Sequence, residues 1–208
     1  MNKIDELLGR IAALEKELAE ELRQKQDELL YTIHRKKVVF GEEIRKRHRE
    51  LAARWSDYVY DSGVLIILTI PLIWGALIPA VILDVAVAAY QWACFPIYGI
   101  PRVRRSDYVV IDRHALRYLN VIEKLNCAYC GYFNGVMAYV REVAARTEQY
   151  WCPIRHARPL RSVHGRYSRF FAYGDAEGYR RGLARVRQDF DDVPEKAARP
   201  SPGSESKA

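Results

Sequence analysis

Charge is what the middle of this sequence lacks. Between Gly63 and Pro101, 39 residues pass with one charged side chain, Asp84. That absence excludes an ordinary soluble segment, because a chain of 208 residues has too small an interior to bury so long an apolar run. A secretory signal is missing as well. The first 30 residues are charged throughout and have neither an apolar core nor a small-residue cleavage site. Cysteine is scarce. Cys94, Cys127, Cys130 and Cys152 are too few for a disulfide framework in a chain this long. No phosphate-cradling glycine loop, serine nucleophile elbow or His-Glu-x-x-His helix occurs, and there is no internal repeat.

What is present divides into four parts. Residues 1–62 are expected to form a cytoplasmic coiled-coil arm, 63–101 a transmembrane or re-entrant hairpin, and 102–190 a cytoplasmic Cys/His- and Arg-rich helical region. Residues 191–208 are polar and rich in Pro and Ser, and read as a disordered tail. The fold class is thus an all-α membrane protein, with a long N-terminal helix, an apolar helical hairpin and a C-terminal helical region carrying a Cys/His cluster.

The arm is predicted as helix from residue 2 to about residue 60. Ile4, Leu7, Leu8, Ile11, Leu14, Leu18 and Leu22 recur at three- and four-residue steps, with charged residues between them. This is a coiled-coil seam, and it points to homo-oligomerisation through residues 2–35. The strict register ends at Lys25, and Leu29, Leu30, Ile33 and Val38 continue a looser stripe. Ile44, Leu51 and Trp55 mark one face of the second half.

The apolar segment contains Pro71, Gly75 and Pro79, which predict a turn near 75–79. Basic residues stand on both sides: Arg45, Lys46, Arg47, Arg49 and Arg54 before it, and Arg102, Arg104, Arg105 and Arg113 after it. Lys and Arg near a span favour the cytoplasm, so both flanks and both termini are expected there. The chain should therefore enter the bilayer and return; a single span is the alternative. Asp84 is an intramembrane polar group that needs a partner or a protein-facing position.

Residues 112–150 read as a helix pair, with a tight turn at 126–131 and an irregularity at Asn134-Gly135. After an irregular stretch, Asp175 is placed to cap a final basic amphipathic helix. Residues 153–190 hold nine arginines against Asp175, Glu177 and Asp189. Anionic lipid headgroups are the expected partner of Arg102, Arg104, Arg105, Arg180, Arg181, Arg185 and Arg187. Nucleic acid is not expected, because no base-stacking or base-reading module is visible. Protein partners other than a second copy are not legible.

Cys127-x-x-Cys130 and Cys152-x-x-x-His156 together supply three thiolates and an imidazole, a donor set suited to tetrahedral zinc. Iron held by sulfur is the weaker alternative. Geometry opposes a shared site, because a straight helix over 132–149 would hold the two halves about 27 Å apart. Three ways out are a helix break, an antiparallel dimer, or His114 joining Cys152 and His156. Arg146 and Glu148 are candidate orienting groups behind the ligands. No catalytic residue is assigned, and the leading reading is a non-enzymatic, self-associating integral membrane protein with a structural zinc. A membrane-bound thiol-redox or electron-transfer component, and a metal-free membrane-shaping scaffold, are the alternatives.

The stretches Phe95-Pro96-Ile97-Tyr98-Gly99-Ile100-Pro101, Asn126-Cys127-Ala128-Tyr129-Cys130 and Glu148-Gln149-Tyr150-Trp151-Cys152-Pro153-Ile154-Arg155-His156 carry a resemblance. Through them the chain resembles a group of uncharacterised bacterial membrane-associated proteins. The resemblance leaves out the N-terminal helix and the tail. It implies a bacterial inner-membrane setting, and no activity, cofactor or partner.

Overall fold

The computed structural model describes residues 3–28, 31–34, 37–52, 60 and 63–193. Helix α1 spans Lys3–Glu28. It does not continue to residue 60. Strands β1 (Tyr31–His34) and β2 (Lys37–Phe40) pair antiparallel, with Tyr31 opposite Phe40 and Ile33 opposite Val38. The reason is local: Tyr31, Thr32, Ile33, Val38, Val39 and Phe40 are β-branched or aromatic, and such side chains favour the pleated strand over the helix. Helix α2 (Glu42–Glu50) follows, with Glu42 and Glu43 in its first turn and Arg47, His48 and Arg49 in its last, as the helix dipole favours. Leu29, Leu30 and Trp55 lie outside the described residues.

The apolar segment departs from the expected hairpin. Helices α3 (Gly63–Gly75) and α4 (Leu77–Tyr98) run on from one another as an apolar helix over Leu65–Tyr98, 34 residues long. Ala76 between them keeps right-handed helical angles (φ −66°, ψ −15°). Its N–H donates to Ile73 O at 3.2 Å, and the Ala80 N–H donates to Ala76 O at 3.4 Å. Pro79 has no N–H to offer the Gly75 carbonyl, so the ladder is interrupted there. It stands in the first turn of α4, where a missing donor is tolerated, and the interruption makes a joint rather than a reversal. Gly99 ends α4 with the left-handed φ of 70° that favours glycine.

The predicted helix pair over 112–150 is one helix, α5 (Val121–Trp151). Its start is fixed by a capping box. The Glu123 N–H donates to Asn120 Oδ1 at 2.9 Å, and the Asn120 N–H donates to the Glu123 carboxylate at 2.8 Å. The expected turn at 126–131 and the expected break at Asn134-Gly135 both lie inside this helix. The glycines there serve packing. A Cβ on Gly135 would stand 2.7 Å from Tyr108 O and 2.8 Å from Val109 Cα; one on Gly131 would stand 3.2 Å from Val110 O.

Helices α4 and α5 run parallel. Asp84 meets Tyr132, Gln91 meets Tyr139, and Tyr98 stacks on Tyr150, in the same order along both chains. Residues 99–120 return in the opposite direction against them. Gln91 holds this return strand by its amide: the Val103 N–H donates to Gln91 Oε1 at 2.9 Å, and Gln91 Nε2 donates to Val103 O at 3.2 Å. Phe95, Ile100, Val103, Tyr139, Val143 and Phe190 form the core at this crossing.

Beyond α5 the chain is irregular, with a single parallel bridge between Ile154 and Phe171. Helix α6 (Ala176–Gln188) is capped as expected, the Gly178 N–H donating to Asp175 Oδ1 at 2.8 Å. The beginning of the expected tail is ordered. Asp192 pairs with Arg166 and Arg169, and Val193 packs on the core. Residues 194–208 lie outside the described residues.

Candidate functional site

Helix α5 decides where the predicted ligands stand. Cys127 and Cys130 lie three residues apart, on one face of its N-terminal half. Cys152 caps its other end, its N–H donating to Glu148 O at 2.8 Å. At 1.5 Å per residue, Cys130 and Cys152 are about 33 Å apart. One chain therefore does not bring the four expected zinc ligands together. Among the described residues, no group of three or more His, Cys, Asp or Glu side chains is placed to hold a metal ion. His114 does not rescue the site, because it lies beside Lys124 near the start of α5, at the opposite end from Cys152 and His156.

The Cys127–Cys130 pair does not stand at the start of a helix. Cys127 is the seventh residue of α5. It stands past the first turn, whose unpaired N–H groups would stabilise a thiolate.

Arg146 and Glu148 belong to a polar network at the C-terminal half of α5, away from Cys127 and Cys130. Arg146 is buried; its Nε donates to Glu142 Oε1 at 2.7 Å and its Nη1 to Pro101 O at 2.6 Å. Arg166, only 4% exposed, donates to Gln149 Oε1 at 2.9 Å and to Glu142 and Asp192 at 3.3 Å, and lies over the Phe190 ring. Gln149 Nε2 in turn donates to Val186 O at 2.9 Å and Asp189 O at 2.6 Å. Each buried cation thus faces a carboxylate or a carbonyl, which keeps the burial affordable. The network clamps residues 153–193 onto α5.

Glu148 pairs with His164, Oε2 to Nε2 at 3.1 Å, while Nδ1 of the same ring is buried without a partner among the described residues. Desolvation lowers the His164 pKa below its ordinary value, and the Glu148 carboxylate opposes that shift. Beside Glu148, an apolar cavity of about 470 Å³ opens between α4 and α5, walled by Val87, Tyr90, Val140 and Trp151.

Sequence reasoning missed Glu142, Gln149 and Arg166. A signal existed for two of them. Tyr139, Glu142, Arg146 and Gln149 recur at helical spacing on the side of α5 that also carries Val136 and Val143, so polar groups share the apolar face. Arg166 lies in an irregular stretch with no periodic pattern.

Asp84, the one charge of the apolar segment, has a partner. Asp84 accepts from Arg105 and, at 3.0 Å, from the Tyr132 hydroxyl. Arg105 is therefore engaged by a carboxylate, although its side chain stays half exposed. Arg187 is engaged too, donating to Tyr150 O at 2.8 Å. Arg102 donates to Trp92 O at 3.1 Å, Arg104 faces Asp107, and Arg181 faces Glu177 on the exposed side of α6. Arg180 lies over the ring of Tyr179, and Arg185 is exposed. Comparison with protein-family models, with curated proteins and with solved structures found no match.

Proposed function

We propose that this is a non-enzymatic integral membrane protein that self-associates, anchored by its apolar helix from the cytoplasmic face of a bacterial inner membrane. The observation that carries the reading is the 34-residue apolar helix, of whose most apolar window only 6% is buried. Leu65, Ile66, Leu68, Leu72, Ile78 and Ile82 stand in the open along it. From Leu65 to Val85 the exposed apolar zone is about 30 Å long at 1.5 Å per residue, which matches a hydrocarbon core.

Basic residues from the chain before and after this helix meet at one cavity. Arg45 and Arg49, before it, line the same cavity as Arg117 and Lys124, after it. Such proximity supports insertion from one face, with both flanks on the cytoplasmic side. The seam of α1 supports self-association, since Leu7, Ile11, Leu14, Leu18 and Leu22 are all exposed at coiled-coil spacing.

Two measurements test the anchoring. Alkaline carbonate washing should leave the protein in the membrane pellet, and release into the supernatant would refute insertion. In a cysteine-free background, Lys46→Cys and Arg158→Cys should each react with a membrane-impermeant maleimide only after lysis. Labelling of either one in intact cells would refute the same-side arrangement.

A second reading rests on the exposure of Cys130, Cys152 and His156. Two copies docked antiparallel along α5 would set Cys127 and Cys130 of one against Cys152 and His156 of the other, and a structural zinc would then join protomers. Zinc in the purified oligomer that disappears with Cys152→Ala supports this reading; zinc content indifferent to that change refutes it.

A further inference from the structure

A cavity of about 610 Å³ lies between α2 and the start of α5. Arg45, Arg49, His114, Arg117 and Lys124 line it, and among the described residues no carboxylate does. Arg45 spends its Nε on Phe40 O at 2.7 Å. Among the described residues Arg49, Arg117 and Lys124 have no hydrogen-bonded or ionic partner. Elsewhere in this chain the buried arginines are matched: Arg146 by Glu142, and Arg166 by Glu142 and Asp192. Here the matching is absent. Like charges sharing one concavity repel one another, and the concavity focuses their field.

The walls are held in place by apolar contacts independent of the charges. The His48 ring sits edge-on to Phe40 at 5.1 Å and to Tyr118 at 5.0 Å. This stack pins α2 to the segment that leads into α5, so Arg49 and Arg117 face one space from two different elements. The opposite wall is fixed by the capping box that sets the first turn of α5 and with it Lys124.

We propose that this cavity binds a phosphate-bearing organic anion. Two guanidinium groups free to act as planar forks match phosphate oxygens in pairs, and Lys124 adds a compact charge. The volume falls in the range of small-molecule sites and exceeds what one inorganic phosphate fills. Phe40 and Ala115 offer an apolar surface to the organic part. The phosphate has two possible sources, an anionic lipid headgroup or a soluble phosphorylated compound. The inference goes beyond anchoring, and its soluble form needs no membrane.

The test uses the full chain in an uncharged detergent. Calorimetric titration with pyrophosphate probes the soluble source. Titration with dihexanoyl phosphatidic acid, against dihexanoyl phosphatidylcholine as its zwitterionic counterpart, probes the lipid source. Saturable binding of either anion, weakened about tenfold or more in Arg49→Ala/Arg117→Ala, is expected. Both arginines are exposed and unbonded, so the double variant should keep the wild-type circular dichroism and melting curve. Lys124→Gln gives an independent, smaller loss. Lys46→Ala/Arg47→Ala removes the same charge from α2 outside the cavity and should leave binding unchanged. Pyrophosphate binding assigns a soluble ligand, and binding of phosphatidic acid alone assigns a headgroup. Binding of neither anion, or an equal loss in the Lys46/Arg47 variant, overturns the proposal.

Discussion

Arg105 holds Asp84 with two nitrogens along one edge of its guanidinium: Nη2 donates to Oδ2 at 2.7 Å and Nε to Oδ1 at 2.9 Å. The pair ties the apolar helix to the strand that returns along it, 21 residues later. Tyr132 of α5 adds a third donor to the same carboxylate at 3.0 Å, so three segments meet at one charge. Removing Arg105 leaves a buried carboxylate with one donor. Arg105→Ala should cost about 1–3 kcal/mol in denaturant or thermal unfolding in detergent, an amount moderated because the arginine is half exposed. The pair Asp84→Leu/Arg105→Met should recover most of that loss, since no charge is then stranded. Equal instability of both variants would show that the ion pair is not the cause.

Gly135 gives a sharper steric expectation. Its missing Cβ would press on Tyr108 O and Val109 Cα, both backbone atoms, at under 3 Å. Gly135→Ala should therefore destabilise the protein by about 1–3 kcal/mol, despite the better helix propensity of alanine. Gly9 on α1 meets nothing within 4 Å, and Gly9→Ala should be neutral or stabilising. Thermal melts of the two variants side by side check this, and a harmless Gly135→Ala would mean that the return strand does not pack as described.

His164 sets a pH dependence. Its imidazole is held below its ordinary value of 6.5 by burial, with Glu148 and Glu142 pulling the other way and Arg141 adding to the depression. In the unfolded chain the ring takes up a proton as the pH falls through about 6.5. The folded protein resists that proton, so below this pH the unfolded state binds more protons and stability falls. The neutral ring already leaves Nδ1 buried and unpaired among the described residues, and a proton there would strand a donor. The melting temperature should drop between about pH 7.5 and pH 5.5, and the drop should shrink in His164→Gln. An undiminished drop in that variant would assign the effect to other groups.

The exposed leucines of α1 carry an assembly expectation. Leu14 is 62% exposed and Leu18 is 60% exposed, at the centre of the seam. Leu14→Glu/Leu18→Glu should lower the molar mass measured by light scattering in detergent, while leaving the apolar helix in the membrane. An unchanged mass would place any assembly contact elsewhere, the open face of Leu65–Tyr98 being the next surface to examine.

Some patterns with a local cause were legible. The helix that carries Leu7, Ile11, Leu14 and Leu18 and the Asp175 cap depend on residues within one or two turns, and both are in place. The Asn120–Glu123 capping box is equally local, and it was the available signal against a helix starting near residue 112. The turn expected from Pro71, Gly75 and Pro79 failed because proline in a helix's first turn interrupts a ladder without reversing a chain. Cys127 and Cys130 looked like a turn because Gly131 follows them. In the fold, Gly131 and Gly135 make room for a backbone that arrives from residues 108–110. That approach is distant in sequence and leaves no periodic trace.

By itself the sequence determined that 39 residues with one charge need an apolar environment, that both their flanks are basic, and that Leu7, Ile11, Leu14, Leu18 and Leu22 share one face of a helix. These follow from composition and spacing, which act locally. Only the tertiary structure decided that the apolar run is one jointed helix, that α5 lies parallel to it, and that Asp84 finds its counter-charge in Arg105. It also separated Cys127 and Cys130 from Cys152 and His156, and brought Arg49 to the same cavity as Arg117. Each of these depends on which distant segments pack together. The deciding energies come from burying polar groups with partners, and those partners are chosen by the fold rather than by neighbours in the chain.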